Sequence, residues 1–156
     1  SAHESDTEGV LSIKLGGDGR FDELLCLPNS GCRPFPEISG RHIVMQGNET
    51  FKQAVRNMYE CAVSALECAG LTSADVSLLI PHQANTRIIG AVSKRLGLPD
   101  EKVFVNIADY GNTSAATIPI ALCEALEQKR LKRGDVLVID AFGAGLTFGA
   151  MAIRWA

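Results

Sequence analysis

An excess of positive charge is absent: 15 Lys and Arg stand against 18 Asp and Glu in 156 residues, a formal net charge of −3 with three His neutral. No global positive field exists to hold nucleic acid or an anionic membrane, so composition excludes both as partners. Long apolar runs are missing too. Stretches such as Leu78 to Pro81 and Val136 to Ile139 fall well below the ~18 residues a spanning helix needs, which excludes transmembrane helices. The opening residues, Ser1-Ala2-His3-Glu4-Ser5-Asp6-Thr7-Glu8, carry no initiator Met, no basic segment and no apolar stretch. They are not a signal peptide, and they read as the interior of a longer protein. Cysteine lacks a disulfide pattern: the count of five (Cys26, Cys32, Cys61, Cys68, Cys123) is odd, and Cys61 and Cys68 fall two helical turns apart, ~10 Å, too far to bridge. A reducing, cytoplasmic compartment is the simpler reading, with a plastid or mitochondrial matrix left open because a transit peptide would lie upstream. Neither an internal repeat nor a low-complexity segment interrupts the chain.

What remains is a single domain-sized length with 46% hydrophobic residues, enough to bury about two thirds of the unfolded surface. Val10 to Leu15 alternates apolar and polar residues, as a half-buried strand does, and Gly16-Gly17-Asp18-Gly19 turns the chain. Phe21 to Gly40, with Pro28, Gly31, Pro34 and Pro36, reads as a long surface excursion. Thr50 and Gln53 form a capping-box pattern, so the first helix is expected to start there. Its apolar face runs through Phe51, Ala54, Val55, Met58, Tyr59, Ala62, Ala65, Leu66 and Ala69 and ends at Gly70.

A turn at Thr72-Ser73-Ala74-Asp75 leads to a buried strand, Val76 to Ile80, ended by Pro81. A second helix turns Ile88, Ile89, Val92 and Leu96 inward before Gly97, and Val103 to Val105 is expected as a short strand. A third helix is expected from about Thr113 to Arg130, burying Ala116, Ile120, Ala121 and Leu126, with Pro119 breaking one backbone hydrogen bond inside it. Val136 to Phe142 and Leu146 to Trp155 close the chain as strands around Gly143-Ala144-Gly145. The order β-α-β-α-β-α-β-β predicts an α/β fold: a mixed five-stranded sheet whose first strands run parallel and whose last two pair antiparallel, with helices packed on it.

Ligands of open α/β sheets bind outside the carboxyl ends of the strands. Three strand-exit segments lie there: Pro81-His82-Gln83-Ala84-Asn85, Asp109-Tyr110-Gly111-Asn112-Thr113-Ser114 and Ala141-Phe142-Gly143-Ala144-Gly145. A neutral His beside an Asn carboxamide offers two donors for a carbonyl oxygen that gains charge, and His82 and Asn112 are the candidates. Each has a plainer alternative, His82 as a partner for a backbone group and Asn112 as a turn or cap residue.

Taken together, Leu79-Ile80-Pro81-His82-Gln83-Ala84-Asn85-Thr86-Arg87-Ile88-Ile89, Gly111-Asn112-Thr113-Ser114-Ala115-Ala116, Ala141-Phe142-Gly143-Ala144-Gly145 and Gly47-Asn48-Glu49-Thr50-Phe51-Lys52 resemble the C-terminal half of β-ketoacyl-[acyl carrier protein] synthase III. The resemblance implies one half of a thiolase fold over residues 1–156, in a homodimeric enzyme. It implies transfer of an acyl group from acyl-CoA to malonyl-[acyl carrier protein] by decarboxylative Claisen condensation, initiating fatty acid synthesis through a Cys, His, Asn triad. His82 and Asn112 match the His and Asn, Phe142 and the backbone near Ala144 line the site, and Asn85, Ala84 and Gly47 match CoA or pantetheine contacts, with Met45 beside the acyl channel. Arg87, Lys94 and Arg95, on one helix face, match the docking surface for acyl carrier protein. No cofactor is implied beyond acyl-CoA as a substrate.

The family's nucleophilic Cys belongs to an N-terminal half that this sequence lacks, so the chain alone is expected to be inactive and to need that half as a partner. Cys61, Cys68 and Cys123 read as small buried hydrophobes. Cys26 and Cys32 with His42 lack a fourth ligand, so no metal site is expected. Two alternatives stand beside this reading: a synthase III-like acyltransferase of secondary metabolism, and a non-catalytic module that binds acyl carrier protein or CoA.

Overall fold

The computed structural model describes residues 8–28 and 42–156. Most of the predicted excursion, and Cys32 with it, lies outside the described residues. The alternating segment forms β1 (Gly9–Gly17). A 3-10 turn over Gly19–Leu24 and a two-residue ribbon, β2 (Leu25–Cys26) with β3 (Val44–Met45), lead to helix α1 (Gly47–Cys68). After β4 (Leu78–Pro81) come α2 (Thr86–Leu96), the short α3 (Ile107–Tyr110) and α4 (Thr117–Glu127). The hairpin of β5 (Val136–Gly143) and β6 (Thr147–Arg154) ends the chain.

The sheet runs β1-β6-β5-β4. β4 is parallel to β5, while β6 is antiparallel to both β5 and β1. β1, β4 and β5 therefore share one direction, as expected, although only β4 and β5 are parallel neighbours. Val55, Met58, Ala62, Ala65 and Leu66 of α1 and Ile89, Val92 and Leu96 of α2 pack with Leu79, Val138 and Ala150 on one sheet face. Ala121 and Ala125 of α4 pack with Leu78, Ile80 and Leu137 on the other. Among the described residues no helix is long and apolar enough to cross a membrane.

Four expectations are corrected. Helix α1 begins at Gly47, because the Thr50 N–H bonds to Gln46 O at 2.9 Å and its hydroxyl donates to Leu24 O at 3.1 Å. Thr50 thus anchors the first turn to the end of the 3-10 turn and caps nothing. The fifth strand shrinks to one bridge, Val103 to Leu79. The next ladder groups, Phe104 C=O and Asn106 N–H, are taken by the Gln83 side chain, so the strand stops.

The third helix is broken rather than continuous. Ser114 has a positive φ of 53°, which no helix tolerates, so α4 starts only at Thr117. Pro119 is its third residue, where a backbone N–H has no intrahelical partner to lose. Finally, Ala116, Leu126, Cys68 and Cys123 are exposed, not buried. For Cys68 the cause is its place at the end of α1. For the other three it is that no described residue covers the outer side of α4 and its N-cap.

Candidate active site

In a parallel unit the helix after a strand runs back along it, so the N-termini of α1 and α2 share the sheet edge at which β4 and β5 end. His82 leaves β4 at that edge. Its N–H donates to Asp140 O at 2.7 Å, and its own C=O accepts from Ala84 N–H at 2.9 Å, a tight turn that fixes the backbone. The imidazole is partly buried, and burial lowers its pKa from 6.5, which favours the neutral ring. Its Nδ1 is buried without a hydrogen-bond partner among the described residues.

Asn112 follows Gly111, whose φ of +68° lets the chain leave α3 and turn outward. It is exposed, and its Oδ1 accepts from Ser114 N–H at 3.1 Å, a bond that holds the carboxamide and leaves its NH2 as a donor. Phe142, near the end of β5, packs against the α1–α2 core. Ala144 lies exposed at the tip of the β5–β6 turn, and its C=O accepts from the Thr147 hydroxyl at 2.9 Å. Gly145 is required there: at φ +139° a Cβ would stand 2.8 Å from Thr147 Cγ2 and 3.0 Å from Thr147 N.

The remaining candidates are placed as follows. Asn85 caps α2, its Oδ1 accepting from Arg87 N–H at 2.8 Å, so only its NH2 is left for a ligand. Ala84 is partly buried, whereas Gly47 is the exposed first residue of α1 and Met45 is exposed on β3. Arg87 stacks 5.4 Å over Phe51 and Arg95 stacks 4.5 Å over Tyr59. Two arginines eight residues apart on α2 thus meet two rings eight apart on α1. With exposed Lys94 they make no ion pair among the described residues, so their charges stay uncompensated. No described His, Cys, Asp or Glu cluster could hold a metal ion. Cys61 is buried, and its thiol is pushed up by burial and by the nearby Asp140 carboxylate, the opposite of what a nucleophile needs.

Two groups that sequence reasoning passed over belong to the same edge. Gln83, between His82 and Ala84, is fully buried and hydrogen-bonded on every side. Asp140 is enclosed, with neither carboxylate oxygen hydrogen-bonded to a described residue. Burial pushes its pKa well above 3.8, outweighing the lowering effect of the neighbouring Ala141 N–H. An acid placed after the apolar run Val136–Ile139 was the visible signal for it.

Comparison with known proteins defines the class first. The fold is that of half a thiolase-like condensing enzyme: it superimposes on synthase III structures from Aquifex aeolicus (TM-score 0.88, 46% identity, 98% of this chain and 46% of that one) and Thermus thermophilus (TM-score 0.90, 44% identity, 97% and 48%). Residues 66–155 match the model of the 3-oxoacyl-[acyl-carrier-protein] synthase III C-terminal family, and the chain belongs to that family. It is 51% identical over 152 residues to the β-ketoacyl-[acyl-carrier-protein] synthase III of Roseiflexus castenholzii, covering 94% of this chain and 46% of that protein. The chain thus spans about half the length of the curated relatives it matches.

Proposed function

We propose that this chain is the His- and Asn-bearing half of an enzyme that condenses an acyl group from acyl-CoA with malonyl-[acyl carrier protein]. The observation that carries the reading is a half-buried His82 whose ring Nδ1 has no hydrogen-bond partner among the described residues and whose pKa burial lowers, with Asn112 exposed on a following loop, its Oδ1 already held by Ser114 N–H. In the assembled enzyme a Cys thiolate of the other half takes the acyl group from CoA. The malonyl thioester then enters, its C–C bond to the carboxylate breaks, and carbon dioxide leaves. The electron pair becomes an enolate whose oxygen receives hydrogen bonds from the His82 ring N–H and the Asn112 NH2. The enolate carbon attacks the acyl thioester, backbone N–H groups near Ala144 hold the resulting oxyanion, and its collapse releases the Cys thiolate. The chemistry calls for no resident cofactor.

The exposed face of α4 supports a missing partner half. Ala116, Pro119, Cys123 and Leu126 recur at helical spacing and are all exposed. Ser12 bonds to Ala65 O of α1, so by strand alternation Ile13 and Leu15, also exposed, lie on the α4 side of the sheet. The Cys-bearing half seats here, and two such assemblies form the homodimer. The chain alone should neither acquire an acyl group from acyl-CoA nor release carbon dioxide from malonyl thioesters. Joined to that half it should do both, as read by mass spectrometry of acylated peptides. Acylation of a Cys within this chain would overturn the division of labour.

Arg87, Lys94 and Arg95 form the docking surface for the acidic carrier protein, while Asn85, Ala84 and Gly47 meet the pantetheine arm. Charge reversal, Arg87→Glu or Lys94→Glu, should lower kcat/KM for malonyl-[acyl carrier protein] by about tenfold and raise its salt sensitivity. Use of malonyl-CoA should change little. Equal losses with both substrates would refute docking.

A further inference from the structure

We propose that Gln83 is a positioning residue that sets the His82–Asn112 geometry, an inference that rests on the functional reading above. Its side chain is 1% exposed. The amide NH2 donates to Pro81 O at 2.9 Å and to Phe104 O at 3.0 Å, and Oε1 accepts from Asn106 N–H at 3.0 Å. Its backbone N–H donates to Thr117 Oγ1, itself buried, at 2.8 Å. Asn106 extends the network by donating from Nδ2 to Glu124 Oε2 at 2.7 Å, which ties the same segment to the body of α4.

The contacts bracket Asn112. Phe104 and Asn106 precede its loop and Thr117 follows it, while Gln83 is covalently adjacent to His82. Among the described residues, every hydrogen bond between residues 82–85 and the segment 104–117 is made by Gln83. The segment has little else to order it: α3 is one turn long, Ser114 sits at a positive φ, and residues 108–112 are exposed. Two donor groups on different loops must converge on one enolate oxygen, and the amide is the bond set that makes their separation reproducible. Glutamine is specific for this task. A planar amide presents donors to two carbonyls and an acceptor to an N–H at once, whereas a carboxylate would face those carbonyls with a second acceptor.

The test uses the assembled two-half enzyme and reads malonyl decarboxylation, Cys acylation and hydrogen exchange over residues 107–116. Gln83→Glu and Thr117→Val should lower kcat for decarboxylation by about tenfold to a hundredfold, with KM and acylation within about threefold of the parent. Exchange over 107–116 should quicken in both, and Thr117→Ser, which keeps the hydroxyl acceptor, should restore rate and protection. Parent-like decarboxylation in folded variants would overturn the proposal, as would an equal fall of both half-reactions. If Gln83→Glu does not fold, the Thr117 pair decides. His82→Ala serves as the control for the functional reading: unimpaired decarboxylation there refutes that reading, and unchanged exchange in Thr117→Val refutes the tether independently.

Discussion

Replacing His82 by Ala should slow malonyl decarboxylation by about two to three orders of magnitude in the assembled enzyme, the usual loss when one preorganised donor to a developing oxyanion is removed. Acylation of the partner half's Cys should fall far less, because no enolate forms in that step. The size follows from the setting: the ring is partly buried and kept neutral by burial, so its N–H acts where water competes poorly. Asn112→Ala should give a loss of the same order. The double variant should be little worse than either single one, since two donors to one oxygen act as a unit. The measurement is carbon dioxide release from malonyl-[acyl carrier protein], set beside single-turnover acylation by acyl-CoA. Acylation falling as much as decarboxylation would remove His82 from the enolate step.

Asp140→Asn should stabilise the protein near neutral pH, with a gain that grows as pH rises. Asp140 is enclosed with both oxygens lacking hydrogen bonds to described residues, and burial raises its pKa well above 3.8. A raised pKa means that the native state holds a proton the unfolded chain has already released. Stability attributable to this group is therefore full below about pH 3.8 and declines as pH climbs toward the folded value, by about 1.4 kcal/mol per pH unit. An uncharged carboxamide of the same shape removes that decline.

His82 works in the opposite sense: its lowered pKa makes protonation favour unfolding, so its contribution is lost as pH falls below 6.5. Comparing parent with Asp140→Asn cancels this background. Urea unfolding at pH 5, 6, 7 and 8 reads the gap directly. A gap that is the same at every pH would mean that Asp140 is not held as the neutral acid.

Much of the fold was legible from periodicity. The long apolar stripe of α1, the glycines at 70 and 97 and the apolar runs of β4 and β5 report local burial and returned the main helices and the sheet class, whereas the alternation of Val10 to Leu15 returned a strand whose apolar residues Ile13 and Leu15 are exposed. His82, Asn112 and Phe142 were legible because strand-exit loops carry chemistry in such sheets and because long motifs around them resemble a known family. Element edges were not legible where a distant group decides them. Thr50 looks like a cap until Leu24 O takes its hydroxyl, and Val103 to Val105 looks like a strand until Gln83 takes its ladder groups.

The sequence by itself determined most of the elements and the α/β class, because those follow from side-chain chemistry at spacings of two and of three to four residues, and it pointed to the family through the resemblance of its strand-exit motifs. Only the tertiary structure decided that Gln83 joins the two donor loops, that Asp140 is sealed beside Cys61, and that the outer side of α4 stays bare among the described residues. These depend on contacts between residues far apart in sequence, and the pattern around each residue does not encode its distant partner.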